Sequence, residues 1–239
     1  MSRDPHPLIG LVVPPAVDRV PHDGPTLYGD RARFIARGLG LPEISTRGYV
    51  EVIDKVVDLA SALRQAGAVA ISLMGTSLSF YRGVRFNAVL EAEMTRRTGV
   101  PCTTMSHAVV RALQTLGVAR VAVATAYIDE VNERLAAYLG ASGFTMTAIR
   151  GLAIAEVAAV TQVTTERLVA LCEEAWRAAP GADGILLSCG GLRTLEAVQR
   201  VEDALGVPVV ASSPAGFWDA VRVAGLDSRA RGWGRLLEV

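Results

Sequence analysis

The chain has little of several things that would mark a function at once. It holds a single lysine, Lys55, inside a helical pattern, so Schiff-base or pyridoxal chemistry would rest on one poorly placed amine. Its three cysteines, Cys102, Cys172 and Cys189, form neither a metal spacing nor an even disulfide framework, and its histidines, His6, His22 and His107, are scattered. Free thiols in a reducing cytoplasm are therefore expected. Formal net charge is +0, without the clustered basic face that nucleic acid requires. The longest early apolar run, LIGLVV, is cut at once by Pro14 and Pro15, too soon for a signal-peptide core or a membrane span.

What the chain does have is apolar residue. Hydrophobic residues make up 51% and charged residues 20% of 239 positions, enough for a large core in one domain or two small fused lobes. Apolar runs of strand length fall near residues 8–13, 68–74, 101–105, 120–125, 145–149, 184–188 and 207–212, with a further candidate at 32–39. Between them lie segments of helical period, among them 47–67, 86–99, 127–140, 164–179 and 192–206, several ending at glycine. Fully apolar strands alternating with helices predict an α/β fold with parallel sheets covered on both faces.

An internal repeat organises the pattern. ISLMGTSL, a helix and GVPCTTMS describe one half; ILLSCGGL, a helix and GVPVVASS describe the other. This predicts two similar Rossmann-like lobes related by a pseudo-two-fold axis, residues 1–115 with 214–239 against 116–213, with a cleft between them. Ligands of doubly wound sheets bind beyond the carboxyl ends of the strands. Here those ends are Pro14–Pro15, Gly75–Thr76–Ser77, Ala126–Tyr127 and Cys189–Gly190.

Cys189 is the strongest catalytic candidate. It stands at a strand end before two glycines that let backbone amides approach a ligand, and a helix expected from about Leu192 points its amides the same way. A buried structural thiol is the commoner fate of a free cysteine, and Cys102 and Cys172 are read that way. Thr76, Ser77 and Tyr127, the last opening a predicted helix, can donate to an oxyanion; they can equally be caps or packing residues. Arg82 and Arg85 read as loop charges. A hydrolytic thiol wants a histidine base, and none has a motif beside Cys189, so proton chemistry at a carbon acid is favoured over ester or peptide hydrolysis.

The stretches SLMGTSLSFYRG, ATAYIDEVNERLAAYL, DGILLSCGGL and SSPAGFWDAVR resemble the arylmalonate decarboxylases, a family of the aspartate/glutamate racemase superfamily, over most of the chain. Racemases of that superfamily use two cysteines on opposite faces of the substrate; this chain has Gly75 at the first position and Cys189 at the second, as the decarboxylases do. The resemblance implies cofactor-free decarboxylation of α-aryl malonates to α-aryl acetates or propionates. It implies that Thr76, Ser77, Tyr127 and the amides around Cys189 and Gly190 hold an enediolate, which Cys189 protonates on one face. It implies room for the aryl group at Gly75, near Pro14 and Pro15. It also implies an apolar pocket for the departing carboxylate from Leu41, Ile44, Tyr49, Leu78, Val157 and Val160. The expected partner is a small dicarboxylate, with no nucleic acid and no membrane, and the expected state a monomer. A racemase or cis–trans isomerase of the same fold, or a bilobal binding protein without chemistry, are the alternatives.

Overall fold

A computed structural model describes residues 6–239. The first half runs β1 (Leu8–Val13), α1 (Asp23–Tyr28), β2 (Arg33–Gly38), α2 (Thr46–Val52), α3 (Val56–Gln65), β3 (Ala70–Leu73), α4 (Thr76–Phe80), α5 (Gly83–Thr98), β4 (Cys102–Thr104) and α6 (Met105–Thr115). The second runs β5 (Arg120–Thr125), α7 (Asp129–Ala141), β6 (Thr145–Gly151), α8 (Val157–Val160), α9 (Thr165–Arg177), β7 (Gly184–Ser188), α10 (Leu195–Leu205), β8 (Val209–Ala211) and α11 (Ser212–Val223). Two four-stranded parallel sheets result, ordered β2-β1-β3-β4 and β6-β5-β7-β8. The second order is the first shifted by four strands, so the repeat read in the sequence is a repeat of topology.

The central strands are buried on both faces, as the unbroken apolar runs require: every residue of β3 and β7 is buried. Helices cover them through amphipathic stripes, such as Val56, Ala60 and Leu63 of α3, spaced to meet one face. α5 and α10 both end at a left-handed glycine, Gly99 (φ 68°) and Gly206 (φ 70°). Each is followed by Val-Pro and then by β4 or β8, which explains the doubled GVP motif.

Several elements differ from expectation. The helix expected over 47–67 is interrupted by a 3-10 turn at Ile53–Lys55, where Val52 leaves helical geometry (φ −120°). The run Val50, Val52, Ile53, Val56, Val57 is β-branched and holds a helix weakly. The candidate strand at 32–39 is real: it is β2, paired with β1 at the sheet edge. Ser212, expected in a strand, already opens α11.

α11 leaves the second sheet and packs on α6, α1, β3 and β4. A buried ion-pair cluster fixes it there: Asp219, fully buried, meets Arg111 of α6 at 2.6 Å and Arg222 at 2.8 Å, while Arg111 also reaches Glu91 of α5. Residues 1–5 of the expected first lobe lie outside those described. No helix among the described residues is long and apolar enough to cross a membrane.

Candidate active site

β7 delivers Cys189 into a turn in which the residue itself is buried, at 6% exposure, while Gly191 and Arg193 are exposed. Its backbone φ of 157° is one that side-chain-bearing residues seldom adopt, the kind of local strain that clusters at functional sites. Burial pushes the thiol up to about 11, against the pull of the Gly191 and Leu192 amides and the Tyr127 phenol. The thiol therefore keeps its proton at neutral pH. The amides belong to the turn itself, because α10 begins at Leu195 and not near Leu192. No histidine is among the groups acting on Cys189; His107 hydrogen-bonds Glu91 instead, at 2.7 Å.

Close packing accounts for the glycines after the thiol. A Cβ on Gly190 would stand 2.8 Å from the Met105 sulfur, and one on Gly191 would stand 3.1 Å from Val160 Cγ1. Gly75 is a different case. Its backbone (φ −133°, ψ 99°) is ordinary extended geometry open to any residue. What glycine permits there is close approach: a Cβ would meet Leu78 Cδ1 at 2.7 Å and Pro14 Cγ at 3.3 Å, so both side chains pack directly on the glycine.

The turn from Gly75 into α4 is tied from behind. The Ser79 hydroxyl lies 3.0 Å from the Gly75 carbonyl and 2.7 Å from the Ser106 hydroxyl, and Ser106 donates to the Thr76 carbonyl at 2.8 Å. Thr76 donates its hydroxyl to Met105 Sδ at 2.9 Å. Thr76 and Ser77 are both buried, at 2% and 8% exposure.

Tyr127 sits in the turn after β5, two residues ahead of α7 and not within it. Its amide donates to Thr125 Oγ1 and its carbonyl accepts from Asn132 Nδ2, both at 3.2 Å. The ring packs edge-on against Phe80 of the other half. Burial drives the phenol far above its ordinary range, so it stays a neutral donor beside Cys189, Ser188 and Thr76.

Leu41, Ile44, Tyr49, Leu78 and Val160 are buried, and Val157 is partly buried against the core. Leu41 donates its amide to the Pro14 carbonyl, and Ile44 donates to the Ala155 carbonyl, both at 2.8 Å; the second bond joins the two halves. Tyr49 faces Ser77, yet its buried hydroxyl makes no well-formed hydrogen bond. Pro14 is partly buried and reaches toward Gly75, whereas Pro15 is exposed. Arg82 is exposed and lies over the Phe86 ring, and Arg85 is exposed too. Cys102 and Cys172 are buried, the latter within α9. Among the described residues no group of three or more His, Cys, Asp and Glu side chains could hold a metal ion.

Sequence reasoning passed over Ser79, Ser106, Asn132, Met105, Ser188 and Ser212, which surround the turns and make the bonds that shape them. Aligning the two repeats residue by residue would have exposed one signal, Ser188 standing where the first half has Met74.

Two four-stranded parallel sheets of matching strand order, flanked by helices, define an α/β fold that maleate isomerases share. A maleate cis-trans isomerase of Nocardia farcinica superposes with a TM-score of 0.88 over 97% of this chain and 98% of its own, at 24% identity, a likeness of fold alone. The chain itself belongs to the arylmalonate decarboxylase family, whose model matches residues 9–237. It is 57% identical to the arylmalonate decarboxylase of Bordetella bronchiseptica, over 100% of this chain and 99% of the relative. A liganded arylmalonate decarboxylase carrying glycine-to-cysteine and cysteine-to-serine exchanges superposes with a TM-score of 0.94 at 58% identity, covering 96% of this chain and 98% of that one.

Proposed function

We propose that this protein decarboxylates α-aryl malonates without a cofactor and delivers one enantiomer of the α-aryl acetate or propionate. The observation that carries the proposal is the buried Cys189 in the turn after β7, with a glycine, Gly75, in the matching turn after β3. The chain's near-full-length likeness to arylmalonate decarboxylase supports the reaction class. The glycine and cysteine exchanged in the liganded relative are separated by the same 114 residues as Gly75 and Cys189.

One malonate carboxylate lies among Leu41, Ile44, Leu78, Val157 and Val160, with the Tyr49 ring beside it. An ionised carboxylate there loses hydration that apolar neighbours do not replace, and loss of carbon dioxide removes the charge. The Cα–carboxyl bond breaks and its electron pair passes into the carboxylate that stays, giving an enediolate. Ser77, Tyr127, the amides at Cys189 and Gly190, and the Thr76 hydroxyl once it turns from Met105 Sδ, donate to the enediolate oxygens, where charge grows in the transition state. Cys189 then gives its proton to the planar carbon from one face, and water restores the thiol. The aryl group occupies the space beside Gly75 and Pro14, with Pro15 at its outer edge. The enzyme acts as a monomer on a small dicarboxylate in a reducing cytoplasm, a setting compatible with three unpaired cysteines.

Incubation with methylphenylmalonate tests the reading. The expected result is carbon dioxide release, uptake of one proton per turnover, and a single product enantiomer on chiral chromatography. Exchange of an α-proton in 2-phenylpropionate without any gas release from the malonate would instead select a racemase.

A further inference from the structure

The residues just ahead of the two half-site turns differ in kind. Met74 precedes Gly75 where Ser188 precedes Cys189, and Met105 opens α6 where Ser212 opens α11. On the glycine side the pair is two thioethers. Met105 accepts the Thr76 hydroxyl, Met74 accepts the Ser72 hydroxyl at 3.3 Å, and both sulfur side chains fill the space a Cβ at Gly216 would take. On the thiol side the pair is two hydroxyls. Ser212 Oγ donates to Ser188 Oγ at 3.5 Å, and Ser188 Oγ lies 3.3 Å from the Tyr127 hydroxyl. Ser188 and Ser212 are fully buried and Tyr127 is 1% exposed.

Fully buried hydroxyls are costly unless they are bonded, and thioethers fill the matching positions of the other half. The direction of the chain of three hydroxyls decides where the phenol proton goes. A phenol carries one proton; if it goes to Ser188 it is lost to a substrate carboxylate. Either oxygen of the Ser188–Tyr127 contact can be the donor; Ser212, donating to Ser188, occupies one of its two acceptor sites and favours Ser188 as donor to the Tyr127 oxygen. The Tyr127 proton is then left for the cleft, where Thr76 and Cys189 stand. We propose that Ser188, oriented by Ser212, is a positioning residue that aims the Tyr127 proton at the substrate. Both hydroxyl contacts are longer than an optimal O–H···O bond, a length that catalytic hydrogen bonds show before substrate tightens them. The inference rests on the decarboxylase reading for its substrate, and on the Ser212–Ser188–Tyr127 contacts for the residues involved.

The test is a mutant cycle with phenylmalonate as substrate. Ser188→Ala lowers kcat about tenfold, the scale of one hydrogen bond to a developing charge, with KM moving far less. In a Tyr127→Phe background the same change has no further effect. Ser212→Ala gives a smaller loss that disappears in the Ser188→Ala background. Wild-type kcat in folded Ser188→Ala, or the same fold-loss with and without the phenol, overturns the proposal. If Ser188→Ala does not fold, Ser212→Ala against Tyr127→Phe runs the same cycle with the same two outcomes. Phenylacetate binding by titration calorimetry separates this idea from the reaction assignment. Weaker binding on Ser188→Ala only when Tyr127 is present, in a protein that releases no carbon dioxide from phenylmalonate, sinks the decarboxylase reading and leaves the positioning role standing. Equal weakening in both backgrounds sinks the positioning role.

Discussion

Cys189 is an acid in its resting state, and that fixes how variants at this position behave. Cys189→Ala is expected to abolish turnover while phenylacetate still binds; near wild-type carbon dioxide release from that variant would end the proton-donor role. The folded thiol keeps its proton up to about pH 11, whereas an unfolded cysteine releases it near ~8.5. Its contribution to stability is therefore whole below about pH 8.5 and lost as pH climbs through about 11. Urea unfolding across pH 8 to 11 should show a steeper fall for wild type than for Cys189→Ala; parallel curves would show that the thiol does not titrate as described. Gly75→Cys is the complementary change. The backbone accepts it, Leu78 has to shift, and a second thiol then faces the planar carbon. Enantiopurity of 2-phenylpropionate should erode, and unchanged purity in an active variant counts against the mirrored arrangement. Tyr49→Phe removes a buried hydroxyl with no well-formed partner; stability is expected to hold or to rise by up to about 1 kcal/mol in thermal unfolding.

At the scale of elements, the site is made of turns, and each turn is held by side chains pointing away from it. Asn132 of α7 accepts from Thr125 Oγ1 at 2.7 Å and donates to the Tyr127 carbonyl. Asn132→Ala leaves both without their partner, at a cost of about 1–3 kcal/mol in chemical denaturation, and kcat falls as Tyr127 loosens. The strands and the repeat were legible because a strand covered on both faces is a short apolar run, and because GVP, ISLMGTSL and ILLSCGGL are local signals. The placement of Cys189, Gly75 and Tyr127 at strand ends was legible for the same reason, each standing next to such a run. The bracing was not. Ser79 meets Ser106, Tyr127 meets Ser188 and Ser188 meets Ser212 across the fold, and a lone serine carries no periodicity to announce a partner. The start of α10 at Leu195 was equally hidden: the turn from Cys189 to Thr194 is shaped by close packing of Gly190 and Gly191 on Met105 and Val160.

Across the whole molecule, the two halves are joined by unlike contacts. The Ile44–Ala155 backbone bond and the Phe80–Tyr127 ring contact lie at the site, whereas Asn87 of α5 donates to the Tyr138 hydroxyl of α7 at 2.9 Å. The ion-pair cluster around Asp219 holds α11 to α5 and α6. Arg111→Ala strips a fully buried carboxylate of one of its two arginines and should cost about 3 kcal/mol, read as a lowered urea midpoint, while Tyr127 and Cys189 keep their contacts. The closed surroundings of Cys189 also have a consequence for chemical durability. Alkylating agents and peroxides react with thiolates that they can reach. A sulfur that is buried and keeps its proton well above neutral pH offers them little thiolate. On the proton-donor reading, the burial that keeps a proton on Cys189 for the carbanion also keeps its thiolate scarce toward other electrophiles.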